Sequence, residues 1–250
     1  MSENIELRRI IPSLLLKGGG LVKTTNFKKP VYIGDPVNAV KIFNEKEVDE
    51  LIILGIDCTP LNQQPDYSFI QEIVGEAFMP ICYGGGIKNI KEINMILYSG
   101  VEKVAINTTS FYHPEIISEA AKIFGSQAIV ASIDIGINWK GKKSVFIESG
   151  RKNTKYDPVE YAKKMQDLGA GELLINCIYK DGTMTGYDIE LIKTISNAVS
   201  IPVIALGGAK DIKDLRSVIL YADVSAASAG SMFVYTGIHK AVLINYSNKI

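Results

Sequence analysis

The stretch Ile201-Pro202-Val203-Ile204-Ala205-Leu206-Gly207-Gly208 repeats Met79-Pro80-Ile81-Cys82-Tyr83-Gly84-Gly85-Gly86, which lies 122 residues earlier in the chain. Asp157-Pro158-Val159 and Glu172-Leu173 match Asp35-Pro36-Val37 and Glu50-Leu51 at the same offset. Agreement in register at four places is improbable for unrelated segments, so the repeat indicates two copies of one half-domain. Each copy is then a supersecondary unit that cannot close its own core.

The hydrophobic pattern inside each copy alternates between short apolar runs and longer amphipathic stretches, which is typical of βα units in a parallel sheet. Leu51-Ile52-Ile53-Leu54 and Leu173-Leu174-Ile175 are apolar throughout, as expected for strands covered on both faces. The predicted strands are 9–16, 50–56, 80–84, 102–107, 128–134, 172–177, 201–206 and 223–228. The predicted helices are 37–46, 67–77, 89–99, 114–124, 158–168, 187–198, 211–220 and 238–247.

Eight strands in two sets of four predict an α/β fold, a single (β/α)₈ TIM barrel built from two half-barrel repeats. The length of 250 residues is typical of that fold. A doubly wound open sheet is the structural alternative, but two equal halves favour closure. We therefore expect one domain over residues 1–250, with half-barrels at about 1–125 and 126–250.

Composition excludes some classes of function. With 27 basic and 27 acidic residues the chain has no net charge, so nothing suggests binding to nucleic acid or to an anionic membrane. The N-terminus has no apolar signal-peptide core and no run approaches 18 apolar residues, so we expect a cytoplasmic protein. The only histidines, His113 and His239, stand far apart, which argues against a His-based metal site or a Ser-His triad. We expect no metal and no cofactor.

Chemistry in such a barrel is located at the C-terminal ends of the strands. Glycines stand there in both halves, and their backbone N–H groups and a following helix start can bind phosphate. Glycine also ends strands for purely geometric reasons, so turn geometry is the alternative. Asp181-Gly182, just past the sixth predicted strand, adds a carboxylate and a flexible backbone to the same rim. The two predicted anion sites comprise Gly85, Gly86, Asn107 and Thr108, and Gly207, Gly208, Gly230 and Ser231.

The chain resembles the HisF family, the cyclase subunit of imidazole glycerol phosphate synthase, over essentially its whole length. The matching stretches include RRIIPSLLLK from Arg8, YGGGIKN from Tyr83, DGTMTGYD from Asp181 and IPVIALGGA from Ile201. The resemblance implies a barrel that receives ammonia from a HisH-like glutaminase at its bottom face. It also implies a phosphorylated small-molecule substrate at the top face, with Lys23 and Ser149 among the residues that bind it.

One departure from the family pattern affects the chemistry. The resemblance implies acid–base catalysis by two aspartates, at the ends of the first and fifth strands. Asp134 occupies the second position, but Leu15 stands at the first. Leucine cannot transfer a proton, and losing one of two acid–base groups costs about 10²–10⁴ in rate. Asp134 is then either a lone base or a structural group, and intrinsic cyclase activity is doubtful. Gly55 and Tyr179 are expected to alter the same rim.

The bottom of the predicted barrel keeps the family's pattern. Arg9, Glu50, Lys103 and Glu172 stand at the starts of four strands and match the charged ring that gates the ammonia channel in the family. The alternative is that such a ring only closes the barrel floor, because this face usually serves stability. A retained gate with an altered mouth suggests ammonia delivery without the usual ring closure.

The combination of a retained gate and an altered mouth resembles one branch of the family. This branch comprises the HisF-like proteins of surface-polysaccharide gene sets, which are known as WbuZ and are associated with glycosyl amidation. The resemblance implies a synthase- or lyase-type subunit of a glutamine amidotransferase complex, with an ATP-dependent sugar amidotransferase as a further partner. Ala229-Gly230-Ser231-Met232-Phe233-Val234-Tyr235 is similar to that branch. The first alternative is the cyclase subunit of histidine biosynthesis. The second is a non-catalytic scaffold that only conducts ammonia.

Overall fold

Eight parallel strands close into a barrel in the computed structural model, which describes residues 8–237 and 239–246. Neighbouring strands pair in parallel around the whole circle, and the last strand returns to the first with Arg9 opposite Ala226. This closure excludes the open sheet, and all eight predicted strands are confirmed. The barrel strands are β1 Arg9–Lys17, β4 Leu51–Gly55, β5 Ile81–Gly84, β6 Lys103–Ile106, β7 Ile129–Ile137, β10 Glu172–Cys177, β11 Val203–Leu206 and β12 Ala226–Ala229.

Seven of the eight predicted helices are also present and surround the barrel. They are α1 Pro36–Glu45, α2 Tyr67–Gly75, α3 Ile90–Tyr98, α5 Glu115–Phe124, α6 Pro158–Asp167, α7 Ile189–Ser196 and α8 Ile212–Ala222. Two further short helices, α4 Thr108–Tyr112 and α9 Ser231–Val234, follow β6 and β12.

The internal repeat extends to the helix N-caps. Asp35 and Asp157 cap α1 and α6, and each is followed by proline in the first turn. The side chains of Asp66 and Asp188, and of Asn89 and Asp211, cap the other two matching pairs of helices. Each pair is separated by 122 residues. Since a capping side chain satisfies backbone N–H groups at the helix start, the repeat preserves the local signals that begin each helix.

The predicted helix 238–247 is wrong. Gly237 adopts a left-handed conformation with a φ of 71°, and β13 Tyr235–Thr236 pairs antiparallel with β14 Ala241–Val242. The residues after Gly237 include four consecutive apolar positions, 241–244, which give no single apolar helix face. The Tyr246 ring packs against Phe233. Residues 238 and 247 lie outside the described part of the chain.

Two β-excursions extend the barrel at its top face and were not predicted. β2 Gly20–Thr25 and β3 Lys28–Gly34 follow β1, while β8 Lys143–Ile147 and β9 Lys152–Asn153 follow β7. Both begin by antiparallel pairing with the strand before them. They occupy matching places in the two halves, so the repeat includes an extra hairpin after each half's first strand.

The core has two parts. A large cluster lies between the strands and the helices, and a smaller one fills the barrel with side chains that include Ile11, Ile52, Val130, Leu174 and Ile204. Within the described residues, none of the helices combines the length and the apolar character needed to span a membrane.

Candidate functional site

A cavity of about 510 Å³ opens at the C-terminal ends of the strands. All the rim residues predicted from the sequence line it except Tyr179, so the structure brings the others together. They are Leu15, Lys23, Gly85, Gly86, Asn107, Thr108, Asp134, Ser149, Asp181, Gly182, Gly207, Gly208, Gly230 and Ser231. Their roles in binding or catalysis stay predictions.

Asp134 lies on β7 at the cavity floor and is 8% exposed. Burial and the nearby Asp181 carboxylate together raise the pKa of its carboxyl group to about 7, although the Asn176 amide partly offsets both. A pKa near neutrality is suited to a general base or acid at physiological pH. Structural ion networks also shift pKa values, so the catalytic role of Asp134 stays a prediction.

Leu15 lies near the end of β1 and lines the same cavity. The cavity therefore has one buried carboxylate, Asp134, at the two positions where the family resemblance implies a pair. Gly55 also lines the cavity. A β-carbon at position 55 would lie 2.8 Å from the Tyr83 hydroxyl and 3.3 Å from the Cys58 thiol. Gly55 thus makes room for Tyr83.

Tyr179 does not have the position expected for it. Tyr179 is not among the described residues that line the cavity. Its hydroxyl group donates to Asp188, which also pairs with Lys143. These contacts tie the β7–β8 hairpin to the segment that begins α7. The expectation that Tyr179 alters the rim is corrected, because its side chain turns toward this tether.

Lys23 is the buried cation of the site. It lies on β2, is 5% exposed, and its Nζ donates to the Ser13 carbonyl oxygen at 2.6 Å. Burial lowers the pKa of this ammonium to about 8, although the Asp181 carboxylate works in the opposite direction. Asp181 in turn accepts from Thr24 Oγ1 at 3.0 Å. The β2–β3 excursion therefore brings a positive group against the strand ends.

The glycines of both predicted anion sites have a packing role of their own. A β-carbon at Gly85 would lie 2.2 Å from the Gly55 oxygen, and one at Gly208 would lie 2.3 Å from the Gly186 oxygen. Both have φ values in the region that favours glycine, 121° and 113°. At Gly230, a β-carbon would lie 2.2 Å from Lys23 Nζ. Close approach of neighbouring atoms alone accounts for these three glycines, so the anion sites remain a prediction.

The polar residues of the first anion site also hold the loops together. Asn107 Nδ2 donates to the Ser132 carbonyl at 2.9 Å, and Thr108 Oγ1 accepts from the Glu148 backbone N–H at 2.9 Å. Ser149 has a φ of 57°, and its Oγ is 3.5 Å from the Ile56 carbonyl oxygen. These contacts place the turn between β8 and β9 against the end of β6.

Some cavity residues were missed at the level of sequence, notably Lys17, Arg151 and Asn176. Lys17 ends β1, one residue beyond the predicted strand, and Arg151 belongs to an unpredicted excursion. Asn176 could have been found, because it is two residues beyond Leu174 on a predicted strand, and side chains at this spacing share one face. In the described part of the chain, His, Cys, Asp and Glu form no group of three that could hold a metal ion.

At the opposite end, the four predicted gate residues form one closed ring. Glu50 and Glu172 are almost fully buried, and each contacts both cations. Arg9 Nη1 is 2.5 Å from Glu50, and Lys103 Nζ is 3.0 Å from both acids. Burial alone would lower the pKa values of Arg9 and Lys103, but contacts with the two carboxylates raise both above their usual values. Arg9 and Lys103 are therefore charged at neutral pH.

The fold and this site define a class: a duplicated (β/α)₈ barrel with an acidic and basic cavity at the top and an ion-paired floor. Residues 9–240 match the family model described as "Histidine biosynthesis protein", and the chain belongs to the HisF family.

The relatives agree with that assignment. A Pseudomonas aeruginosa protein provisionally named imidazole glycerol phosphate synthase subunit hisF2 is 51% identical over 239 residues, 96% of this chain and 95% of its own. A Leptospira interrogans protein provisionally named subunit HisF is 46% identical over 242 residues, 96% of this chain and 95% of its own. The imidazole glycerol phosphate synthase subunit HisF of Lactococcus lactis is 42% identical over 229 residues, 91% and 88% of the two chains. The chain is thus similar to synthase subunits along nearly its whole length.

Proposed function

We propose that this protein is the ammonia-using subunit of a glutamine amidotransferase complex. Ammonia from a glutaminase enters at the Arg9–Glu50–Lys103–Glu172 ring and reacts in the top cavity. The single observation that carries the proposal is that ring: four charged side chains close the end of an axis that apolar residues fill above it. If the floor served stability alone, apolar side chains would be sufficient, because replacing buried ion pairs by apolar residues is often neutral or stabilising.

The route between floor and cavity follows the strands. On β10, Glu172 belongs to the ring, Leu174 to the apolar interior and Asn176 to the cavity. Four residues of strand span about 13 Å. Neutral ammonia crosses such an apolar layer at a far lower cost than ammonium, since an unpaired charge is expensive to bury.

Exposed apolar side chains on the bottom face support the proposal that a partner protein docks there. Five such residues, called here the floor patch, lie near helix C-termini or just before a barrel strand. Phe78 and Tyr98 are each 91% exposed. Contiguous exposed apolar patches mark interaction sites on many proteins, and these five residues lie at the same end of the barrel. The floor patch comprises Phe78, Tyr98, Ile123, Leu220 and Tyr221.

For the chemistry at the top we propose amidation of a surface-polysaccharide sugar, in the manner implied by the resemblance to the WbuZ branch. Leu15 is the observation behind this choice, because the cavity lacks the second proton-transfer group of a cyclase. An ATP-dependent sugar amidotransferase would then supply the activated acceptor. Asp134 and Lys23 remain as the buried groups that could move a proton or bind a phosphorylated substrate.

The cyclase of histidine biosynthesis is the second candidate, and two observations favour it. Asp134 is in place with its pKa near 7, and the relatives carry synthase names. A barrel that only conducts ammonia is the remaining alternative. Phosphorylated acceptors that bind the isolated chain and activate the glutaminase would support a catalytic rim, whereas activation without any acceptor binding would favour a conduit.

The experiment is reconstitution with a glutaminase, comparing product formation from glutamine and from ammonium. Lys103→Met should reduce glutamine-dependent turnover at least tenfold and leave ammonium-dependent turnover nearly unchanged, because the gate is altered and the cavity is not. Tyr98→Ser should weaken glutaminase binding, while Trp139→Ser, a matched control on the 89% exposed Trp139 of the top hairpin, should not. Equal loss of both activities in Lys103→Met, or no glutaminase binding to the wild type, contradicts the proposal.

A further inference from the structure

Asn176 carries a buried acceptor without a partner. The residue is 5% exposed and lines the top cavity, and its Oδ1 has no hydrogen-bond partner among the described residues. Leaving a buried acceptor unsatisfied costs about 1–3 kcal/mol, and most such groups in folded proteins have a partner. The orphan oxygen therefore points to a donor that arrives with a ligand.

The surroundings of Asn176 supply a second acceptor. Asn176 and Asp134 are paired in register on β10 and β7, so their side chains stand side by side at the cavity floor. The nearby Asp181 carboxylate adds like charge, and the Asn176 amide compensates the Asp134 carboxylate only in part. A β-carbon at Gly207 would lie only 3.1 Å from Asn176 Oδ1, so glycine keeps a side chain away from that oxygen. Oδ1 is shielded from solvent, but the terminal torsion of an amide is soft, so we expect the amide to rotate toward the cavity when a donor binds.

We propose that Asn176 Oδ1 and the Asp134 carboxylate form a binding site for a small nitrogen donor, either free ammonia or a primary amine of the substrate. The assignment of ammonia as the source rests on the proposed function, but the donor site does not. Ammonia has three N–H groups and one lone pair. When two N–H groups bind the two acceptors, the lone pair stays free and faces the cavity, where the acceptor substrate binds. Asn176 is a specificity-determining residue in this arrangement.

The test uses the full chain and thallium(I) acetate, because thallium(I) resembles ammonium in size and charge and gives an anomalous diffraction signal. At pH 8 Asp134 is ionised, and we expect a thallium peak between its carboxylate and Asn176 Oδ1. Asn176→Leu keeps the shape and removes the acceptor, so it should weaken thallium binding about tenfold. Asn176→Asp should retain the peak, which separates loss of the acceptor from failure to fold. Thr108→Val, elsewhere on the cavity wall, should leave it unchanged.

Competition then identifies the source. Displacement of thallium by ammonium but not by glucosamine assigns the site to ammonia, and displacement by glucosamine alone assigns it to an amino group of the substrate. Absence of thallium from the site in the wild type, or an equal peak in Asn176→Leu, overturns the proposal. An intact thallium site in a protein that binds no glutaminase contradicts only the proposed function.

Discussion

The floor and the mouth of the barrel treat buried charge in opposite ways. At the floor, two acids and two bases pair completely, and each buried carboxylate contacts two cations. At the mouth, Asp134 is buried beside another acid, and Lys23 is buried with one carbonyl acceptor. The first arrangement compensates its charges, whereas the second leaves them destabilised. Such strained groups are typical of functional sites, which natural proteins retain at a cost in stability.

Removing one charge from the floor should cause the largest loss of stability. Glu50→Gln leaves Arg9 and Lys103 with Glu172 alone, and breaking a buried pair on one side costs about 3–5 kcal/mol. Denaturant unfolding should show this loss in the free energy of unfolding. The exposed Arg8–Asp223 pair, with a distance of 3.0 Å and Asp223 80% exposed, provides the control: Asp223→Asn should cost less than about 1 kcal/mol. Equal losses would mean that the ring is not a compensated network.

A second prediction tests the missing carboxylate at the mouth. With the ribotide substrate of imidazole glycerol phosphate synthases and ammonium, the wild-type chain should turn over at about a thousandth of the rate of a two-aspartate relative, because Leu15 transfers no proton. Leu15→Asp should raise the cyclase rate by about 10²-fold or more. Leu15→Asn, which is polar but does not ionise, should not. Wild-type turnover within tenfold of the relative would contradict the sugar-amidation proposal and favour the cyclase.

The third prediction concerns pH. The pKa of Asp134 in the folded state, about 7, lies above its ordinary value of 3.8. The folded protein therefore holds a proton that the unfolded chain releases, and stability falls as the pH rises from about 4 through 7. Asp134→Asn removes the buried charge and should raise the free energy of unfolding by about 4 kcal/mol at pH 8. At pH 4 the effect should be near zero.

Asp181→Asn is the matched control for the pH prediction. Burial raises the pKa of the Asp181 carboxyl group, but Lys23 and Thr24 work in the opposite direction, so its neutral variant should gain less stability at pH 8 than Asp134→Asn. Unfolding curves at the two pH values test both variants. A gain in Asp181→Asn as large as in Asp134→Asn would show that any lost charge relieves the mouth, and not Asp134 in particular.

Much of the fold could be predicted from the sequence, because the repeat and the apolar runs report local and parallel-sheet structure directly. All eight strands and seven helices followed from them. The β-excursions could not, since residues such as Lys23 and Lys152 lie in short polar strands with no strong period. The helix over 238–247 was wrong because apolar content was taken for periodicity. Site residues at strand ends were predictable. The orientation of the Tyr179 side chain was not, because it depends on a contact between Lys143 and Asp188, which are distant from each other in sequence.

The smallest predicted effect compares two glycines at the mouth. Gly85 has a φ of 121°, and a β-carbon there would lie 2.2 Å from the Gly55 oxygen; Gly18 has a φ of 56° and nothing within 4 Å. Gly18→Ala meets only the cost of a left-handed conformation, about 1 kcal/mol. Gly85→Ala adds a collision with a backbone atom that cannot rotate away, so it should cost about 2 kcal/mol more. Denaturant unfolding measures the difference. If both variants lose the same free energy of unfolding, the backbone at the strand ends adjusts to the added β-carbon at little cost. The close approach to Gly55 then does not explain glycine at position 85, and a role in binding phosphate is the better explanation.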